Sequence, residues 1–348
     1  MPQYVEDTMA VKLKDIAEYL NISVSTVSRV VNNKDRVDEK TRDRVLKALE
    51  SLQYTPNEAA RSLKGKVAKA IGIIIPDISN SFFSMVIKGV EAIGRQKGYS
   101  IILCNSDGEM EREAEYAQLL LQKQISGLVI ATVGGSTDFY SQYDKRGIPV
   151  IFIDNHPKLQ ENYDFVAINN IQASFELVSH LIRLGHSKIA AITGPLSETT
   201  ANERLKGWEK ALLENNLIIR DEWVGVGGFS KESGYKIMQS ILKQDEIPTA
   251  VFTANNFLAY GAIQALSDSG LIIPEDVAVV CFDAFDPTGL ARPTLTSVIQ
   301  PAEDIGKIAG ELIIKKSKSI KIRMHERVIL EHRLVINESC GYKNQFCI

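Results

Sequence analysis

From Lys69 onward the chain alternates apolar, strand-length runs with helix-length segments, and this alternation restricts the possible folds more than any other feature. Strands are expected at Ala70–Ile75, Ser100–Asn105, Gly127–Ala131, Val150–Ile153, Phe165–Ile168, Lys188–Ile192, Ala250–Thr253 and Val277–Phe282. Between them, helices are expected over Phe82–Lys97, Glu111–Lys123, Ile171–Leu184, Ala201–Asn215, Lys231–Gln244 and Asn255–Ser269. A βαβ series of this kind gives parallel sheets with helices on both faces. So many strands divide more comfortably into two doubly wound lobes than into one sheet, and ligands in such folds sit beyond the carboxyl ends of the strands.

Residues 11–54 follow another rule. Leu13, Ile16, Ala17 and Leu20 recur at helical spacing and predict a short amphipathic helix over Leu13–Leu20. Asn21-Ile22-Ser23 forms a turn, and Ser23 can cap a second helix running to about Asn32, with Val24, Val27, Val30 and Val31 as its apolar positions. A third helix follows from Asp38 through Val45, Leu46, Leu49 and Leu52. Helix, three-residue turn, helix is the geometry that lays a second helix in the DNA major groove. Hydroxyl side chains on that helix suit phosphate contacts, and Arg29 can reach a phosphate or a guanine edge, although a merely solvated face would carry the same residues. Tyr54-Thr55-Pro56 then breaks the third helix, and Asn57 can cap a new one ending at Gly65. That segment is shorter than the ~12–15 residues at which an isolated helix is marginal. With Leu63 as an apolar wedge it suits the minor groove; as a bland alternative it is an interdomain linker.

The 348 residues carry a net charge of −3, which by itself argues against nucleic acid. Residues 11–66, however, hold 12 Lys/Arg against 8 Asp/Glu, a net of +4, while residues 67–348 hold 28 against 33. A basic reading head on an acidic body fits this division. Met1–Thr8 has no apolar core of a signal peptide and no run approaches the ~20 apolar residues of a membrane span, so a cytoplasmic protein is expected, without membrane contact. Cys104, Cys281, Cys340 and Cys347 show no metal-like spacing, and neither do the five histidines; packing is the expected role of the cysteines, with no metal, cofactor or catalytic residue.

Lys-Leu-Lys-Asp-Ile-Ala (12–17), Val-Ser-Thr-Val-Ser-Arg-Val-Val-Asn (24–32) and Tyr-Thr-Pro-Asn-Glu-Ala-Ala-Arg-Ser-Leu (54–63) resemble the head and hinge of the lactose/galactose repressor (LacI/GalR) family. The resemblance continues through Pro76–Phe83, His180–His186, Ile273–Val277 and Leu295–Pro301, and so covers essentially the whole chain. It implies an N-terminal all-α helix-turn-helix head with a hinge helix, then an α/β periplasmic-binding-protein-like body of two doubly wound parallel-sheet lobes. The implied boundaries are a flexible extension at 1–10, the helix-turn-helix domain at 11–56, the hinge at 57–65, the body at 69–340 and a tail at 341–348. Within the body, one lobe takes about 69–168 with 301–327, the other about 169–300 with 328–340. By position, Val24, Ser25 and Arg29 would read bases, and Ser23, Thr26, Ser28, Asn32 and Tyr54 would hold phosphates. Asn57, Ala60 and Leu63 would work in the minor groove, and Lys12 and Leu13 join the DNA-binding set.

In the body, polar and aromatic residues stand just past the expected strand ends. The candidate effector-binding set is Asp77, Asn80, Phe82, Phe83, Asp154, Asn155, Arg204, Phe229, Asn255, Asn256, Asp283 and Gln300. Carboxylates, amides and an arginine grip hydroxyls, while aromatics stack on the apolar faces of sugar rings, so a sugar, a modified or acidic one included, is expected. Asn80 taken alone reads as a capping residue, and Arg204, expected just inside a helix start, is unfavourable there to the helix dipole and must be retained by another interaction. Asn169 and Asn256 depart from the family pattern, which commonly has aspartate at both. The resemblance also implies a homodimer on a palindromic double-stranded operator, with the effector altering lobe closure and thereby the spacing of the hinge helices. No leucine heptads follow Cys340, so the tetramer-forming tail of the lactose repressor is not expected. Met1–Thr8 precedes the usual family start and reads as an extension or a misassigned start. Two rivals are a regulator that uses a protein corepressor and a solute-binding protein without regulatory role. An enzyme is opposed by Gly225-Val226-Gly227-Gly228, which lacks the third glycine of a dinucleotide fingerprint at the required spacing.

Overall fold

The computed structural model describes residues 11–31, 37–52, 54, 69–134, 140–157, 163–284, 292–318 and 324–342. The expected extension (1–10), Asn32, the hinge segment with Asn57, Ala60 and Leu63, and the tail from residue 343 lie outside the described residues. The chain forms two compact units, residues 1–66 and residues 67–348.

The first unit contains α1 (Leu13–Leu20), α2 (Val24–Val31) and α3 (Glu39–Ser51). Asn21 ends α1 in the left-handed region, at φ 52°, which an Asn tolerates better than most side chains. Ser23 Oγ accepts from Thr26 N at 3.1 Å and caps α2; the Asp38 carboxylate accepts from Thr41 N at 2.9 Å and caps α3. Ile16 and Ala17, Val27 and Val30, and Val45 and Ala48 form the core, two residues from each helix. Arg44 Nη2 donates to Leu20 O at 3.2 Å and ties α3 to the end of α1. So small a core leaves much of the task of fixing the helix crossings to these caps and turns.

The second unit is two six-stranded sheets. The first holds β1 (Ala70–Ile75), β2 (Ser100–Asn105), β3 (Gly127–Ile130), β4 (Val150–Ile153), β5 (Asp164–Ile168) and β11 (Arg327–Leu330), in the order β11-β5-β4-β3-β1-β2, all parallel. The second holds β6 (Ile189–Thr193), β7 (Val224–Val226), β8 (Ala250–Thr253), β9 (Ala278–Phe282), β10 (Thr296–Ile299) and β12 (Arg333–Val335), in the order β12-β10-β9-β8-β6-β7. Only β12 runs antiparallel, against β10. Central strands such as β1 are buried along their whole length, which is why they read as unbroken apolar runs.

Helices α4 (Ser81–Lys97), α5 (Met110–Gln122), α6 (Tyr140–Lys145) and α11 (Ala302–Ser317) belong to the first lobe. The second has α7 (Asn170–Arg183), α8 (Thr199–Glu214), α9 (Lys231–Ile241) and α10 (Asn256–Asp268). Where α4 crosses α11 the backbones nearly touch: a Cβ at Gly89 would lie 2.1 Å from Glu303 O, and one at Gly306 2.0 Å from Val86 O. The chain passes between lobes three times, at Asn169, at Gln300–Pro301 and at Glu331–His332.

The third passage corrects the expected boundary at 327/328, because Arg327–Leu330 pairs with β5 and belongs to the first sheet. Helix α8 starts at Thr199, two residues before the expected Ala201. Strands β7, β10, β11 and β12 and helices α6 and α11 are additions to the expected set. The added strands are short, and β11 alternates exposed and half-buried positions, so none presents the apolar run that marks the central strands.

Candidate functional site

On the head, α2 turns Val27 and Val30 inward and leaves Ser23, Val24, Ser25 and Arg29 exposed. Val24, 45 % exposed, is a large apolar side chain in water on a helix start, a position that costs stability unless something covers it. Ser23 Oγ shares hydrogen bonds with Ser25 Oγ and Thr26 Oγ1, both at 2.8 Å. The hydroxyls thus satisfy one another and can rotate towards phosphate oxygens without leaving a buried group unpaired. Lys12 is exposed, its backbone N–H held by the Asp15 carboxylate at 2.7 Å. Leu13 and Tyr54 pack against the head core, half-buried, and so support α1 and the end of α3 as much as they face outward.

In the body, all twelve candidate effector residues line one cavity of about 430 Å³ between the lobes. Pro76, Asp107, Val133, Glu198, Thr200 and Phe257 are among further lining residues outside the candidate set. Phe82 and Phe83, edge-to-face with centroids 5.1 Å apart, make an apolar wall from the start of α4. Phe229 supplies another from the second lobe, and a Cβ at Gly194 would meet its ring at 2.4 Å, so this ring position needs a glycine opposite.

Arg204 is the polar anchor. Its Nε donates to Asn170 Oδ1 at 2.8 Å, Nη1 to Ala254 O at 2.8 Å and Nη2 to Asp154 Oδ1 at 3.3 Å, while its guanidinium lies 4.2 Å from the centre of the Phe282 ring. With α8 starting at Thr199, Arg204 sits in the second turn and not at the helix mouth, and these partners retain it. Asp154 follows β4 and Asp283 follows β9, each in the left-handed region, at φ 57° and 54°. Asp283 accepts from Gln300 N at 3.0 Å and from Gln300 Nε2 at 2.7 Å, fixing the second passage between lobes to the cavity floor. Burial pushes both aspartates up, against the pull of Arg204 and Gln300.

Several contacts cross between lobes. Asn155 Oδ1 accepts from Thr200 N at 2.9 Å, Thr200 Oγ1 at 2.8 Å and Thr199 Oγ1 at 3.2 Å, and its Nδ2 donates to Glu198. Asn80 caps α4 by accepting from Phe82 N at 3.0 Å, as its sequence context implies, and its Nδ2 also donates across the cleft to Asn256 Oδ1 at 3.4 Å. Asn255 and Asn256 lie at the start of α10, where Asn255 caps through Leu258 N at 2.8 Å. Asn169 faces a smaller cavity behind this one, where it caps α7. Glu198 and Thr200 escape a reading that counts from strand ends, because the Gly194–Ser197 connection delays the helix. The hydroxyl pair Thr199-Thr200 ahead of an apolar helical pattern is the signal that marks them.

Among the described residues, no group of three His, Cys, Asp or Glu side chains is placed to hold a metal ion, and no helix is long and apolar enough to cross a membrane. Cys104, Cys281 and Cys340 are buried free thiols.

Residues 12–57 match the profile of bacterial regulatory proteins of the lacI family, and residues 68–337 that of periplasmic binding proteins and sugar-binding domains of the LacI family. Catabolite control protein A of Priestia megaterium is 35% identical over 332 residues, spanning 95% of this chain and 99% of that protein. The HTH-type transcriptional repressor PurR of Aliivibrio salmonicida is 32% identical over 333 residues, with the same coverage of 95% and 99%. Among solved structures, the lac repressor dimer bound to operator and the anti-inducer ONPF superposes with a TM-score of 0.83 at 28% identity, over 95% of this chain and 99% of that one. A complex of the transcriptional regulator CelR with cellobiose gives a TM-score of 0.72 at 26% identity, over 94% and 99%.

Proposed function

Since the chain belongs to the LacI family of bacterial regulatory proteins, we propose that it is a homodimeric repressor whose hold on a palindromic operator is set by a hydroxyl-rich small molecule, a sugar or sugar derivative, bound between its lobes. One observation carries this reading: polar groups from separate strand ends of both lobes converge with aromatic faces on a single 430 Å³ cavity, a size that suits a small ligand. The aromatic rings suit the C–H face of a sugar and the carboxyl groups its hydroxyls. An acidic sugar, admitted by the residue types alone, suits the lining less well because, among the described residues, its carboxyl groups outnumber its one arginine.

The exposed face of α2 would enter the major groove, with Arg29 reading a base and Val24 covering a thymine methyl. Residues 57–65 would act as the hinge, and the cytoplasm is the compartment in which such a protein meets its operator. The free edge strand β2, near which Ile78 (49 %), Leu103 (36 %) and Met110 (45 %) are exposed, is the part of the first lobe best suited to a second copy. The lac repressor, caught as a dimer on operator, supports the homodimer itself. An effector moves the equilibrium only by binding one lobe arrangement better than the other, and the contacts of Asn155, Asn80 and Asp154 across the cleft would have to change in any such rearrangement.

The test couples two measurements on the intact protein. A sugar that raises the melting temperature should also change operator affinity, read by anisotropy at fixed salt, by about tenfold or more. A sugar that binds tightly and leaves operator affinity unaltered overturns the coupling.

A further inference from the structure

Charge balance inside the cleft narrows the ligand further, on the premise that the cleft is the effector site. Five carboxyl groups line it, those of Asp77, Asp107, Asp154, Glu198 and Asp283, against one cation among the described lining residues, Arg204; Asp107 is compensated from outside the lining by Arg112, which leaves four carboxyl groups to one guanidinium. Arg204 is already committed to Asn170, Ala254 and Asp154. Asp283 is held by Gln300. Glu198 is different: it precedes α8 without capping it, and its Oε2 takes one hydrogen bond, from Asn155 Nδ2. A second observation points the same way. Gln300 Oε1, on a side chain 5 % exposed and lining the cavity, is a buried acceptor without a hydrogen-bond donor among the described residues. The cleft is short of donors and of positive charge.

We propose that the effector carries a protonated amine, as an amino sugar does, and that this ammonium group seats against Glu198. The groups facing Glu198 support the assignment. Burial raises its carboxyl to about 8; Asp154 at the end of β4 and Glu113 on α5 add to the rise, while Asn155 and Arg204 oppose it. Glu113 is itself buried and held by Thr132 Oγ1 at 2.8 Å, Val133 N at 2.8 Å and Tyr140 Oη at 2.7 Å, so it stays in place behind the cavity. Near pH 7 the free protein therefore holds Glu198 mostly as the neutral acid. An arriving ammonium favours the carboxylate, the Glu198 proton leaves to solvent, and the ion pair replaces a neutral carboxyl group. Affinity for the amine should accordingly rise with pH up to about 8, until the amine itself loses its proton.

The experiment is isothermal titration of the intact protein near pH 7. Glucosamine, galactosamine and mannosamine are each compared with the parent hexose and the N-acetylated sugar. At least one amine should bind about tenfold tighter than both neutral counterparts, releasing up to about one proton per site as read from two buffers of different ionisation enthalpy. Glu198→Gln, which keeps an acceptor for Asn155, should cut that preference to roughly threefold or less and abolish the proton release. A neutral hexose that binds as tightly as its amine overturns the amine assignment and leaves the sugar reading standing. Equal weakening of amine and neutral sugar by Glu198→Gln also overturns it, since Glu198 would then merely hold Asn155. A panel in which no sugar of either kind binds overturns both readings.

Discussion

Strand for strand, the core of the first sheet (β5-β4-β3-β1-β2) and that of the second (β10-β9-β8-β6-β7) share one order. In each, the second strand of that series leads into an aspartate in the same left-handed conformation, Asp154 after β4 and Asp283 after β9. The helices that follow β1 and β6 bring different chemistry to the cleft: α4 presents Phe82 and Phe83, whereas α8 presents Arg204. On these two equivalent helices, one lobe offers an aromatic pair and the other a guanidinium. The repeated topology thus determines where side chains enter the cleft, while their identity is free to differ, and a ligand with one greasy face and one polar rim is matched by that division.

The largest effect is expected at Arg204. Replacing it with Ala leaves Asp154 and Asn170 without their shared donor in a buried site, so the second lobe should lose about 3–5 kcal/mol and effector binding should vanish in calorimetry. A variant that kept wild-type affinity would show that the polar grip lies elsewhere. Asp283→Ala tests whether the paired aspartates are equivalent. It releases Gln300 from both its bonds, and a loss of about 1.5–3 kcal/mol is expected in chemical denaturation. Asp154 meets the Gln300 side chain but not its backbone N–H, so Asp154→Asn should leave the Gln300 amide protected from hydrogen exchange; equal deprotection in both variants would contradict the distinction. The smallest effect is expected from Phe83→Leu, which keeps bulk but removes a ring. Effector affinity should fall by about 0.5–1.5 kcal/mol, and an unaltered titration would mean that the apolar wall is packing alone.

How legible these features are in the sequence depends on what each residue has to do. Central strands such as β1 announce themselves because burial on both faces demands an unbroken apolar run, and Asp77, Asp154 and Asp283 follow directly from where those runs stop. Strand β10 carries Thr296 and Ser297, both buried but satisfied by Ser339, Asn337 and the β-ladder, so its composition reads as loop. Glu198 is hidden for a related reason: its place at the cavity comes from a helix start set by the Gly194–Ser197 connection, which in the sequence is marked by the Thr199-Thr200 pair and not by the end of an apolar run. The head is the opposite case. Its helix ends are marked by Asn21, Ser23 and Asp38, whose side chains or backbone preferences make the ends they mark.

Three strands of chain cross the gap between the lobes, at Asn169, Gln300–Pro301 and Glu331–His332. A single tether would let the halves twist, slide or drift apart; three spaced tethers leave mainly one soft motion, a rocking about the line they define. Whatever grasps the cleft therefore sends its message to the rest of the molecule as an angle, and the size of the reply is set by how far that angle can travel before the tethers draw tight.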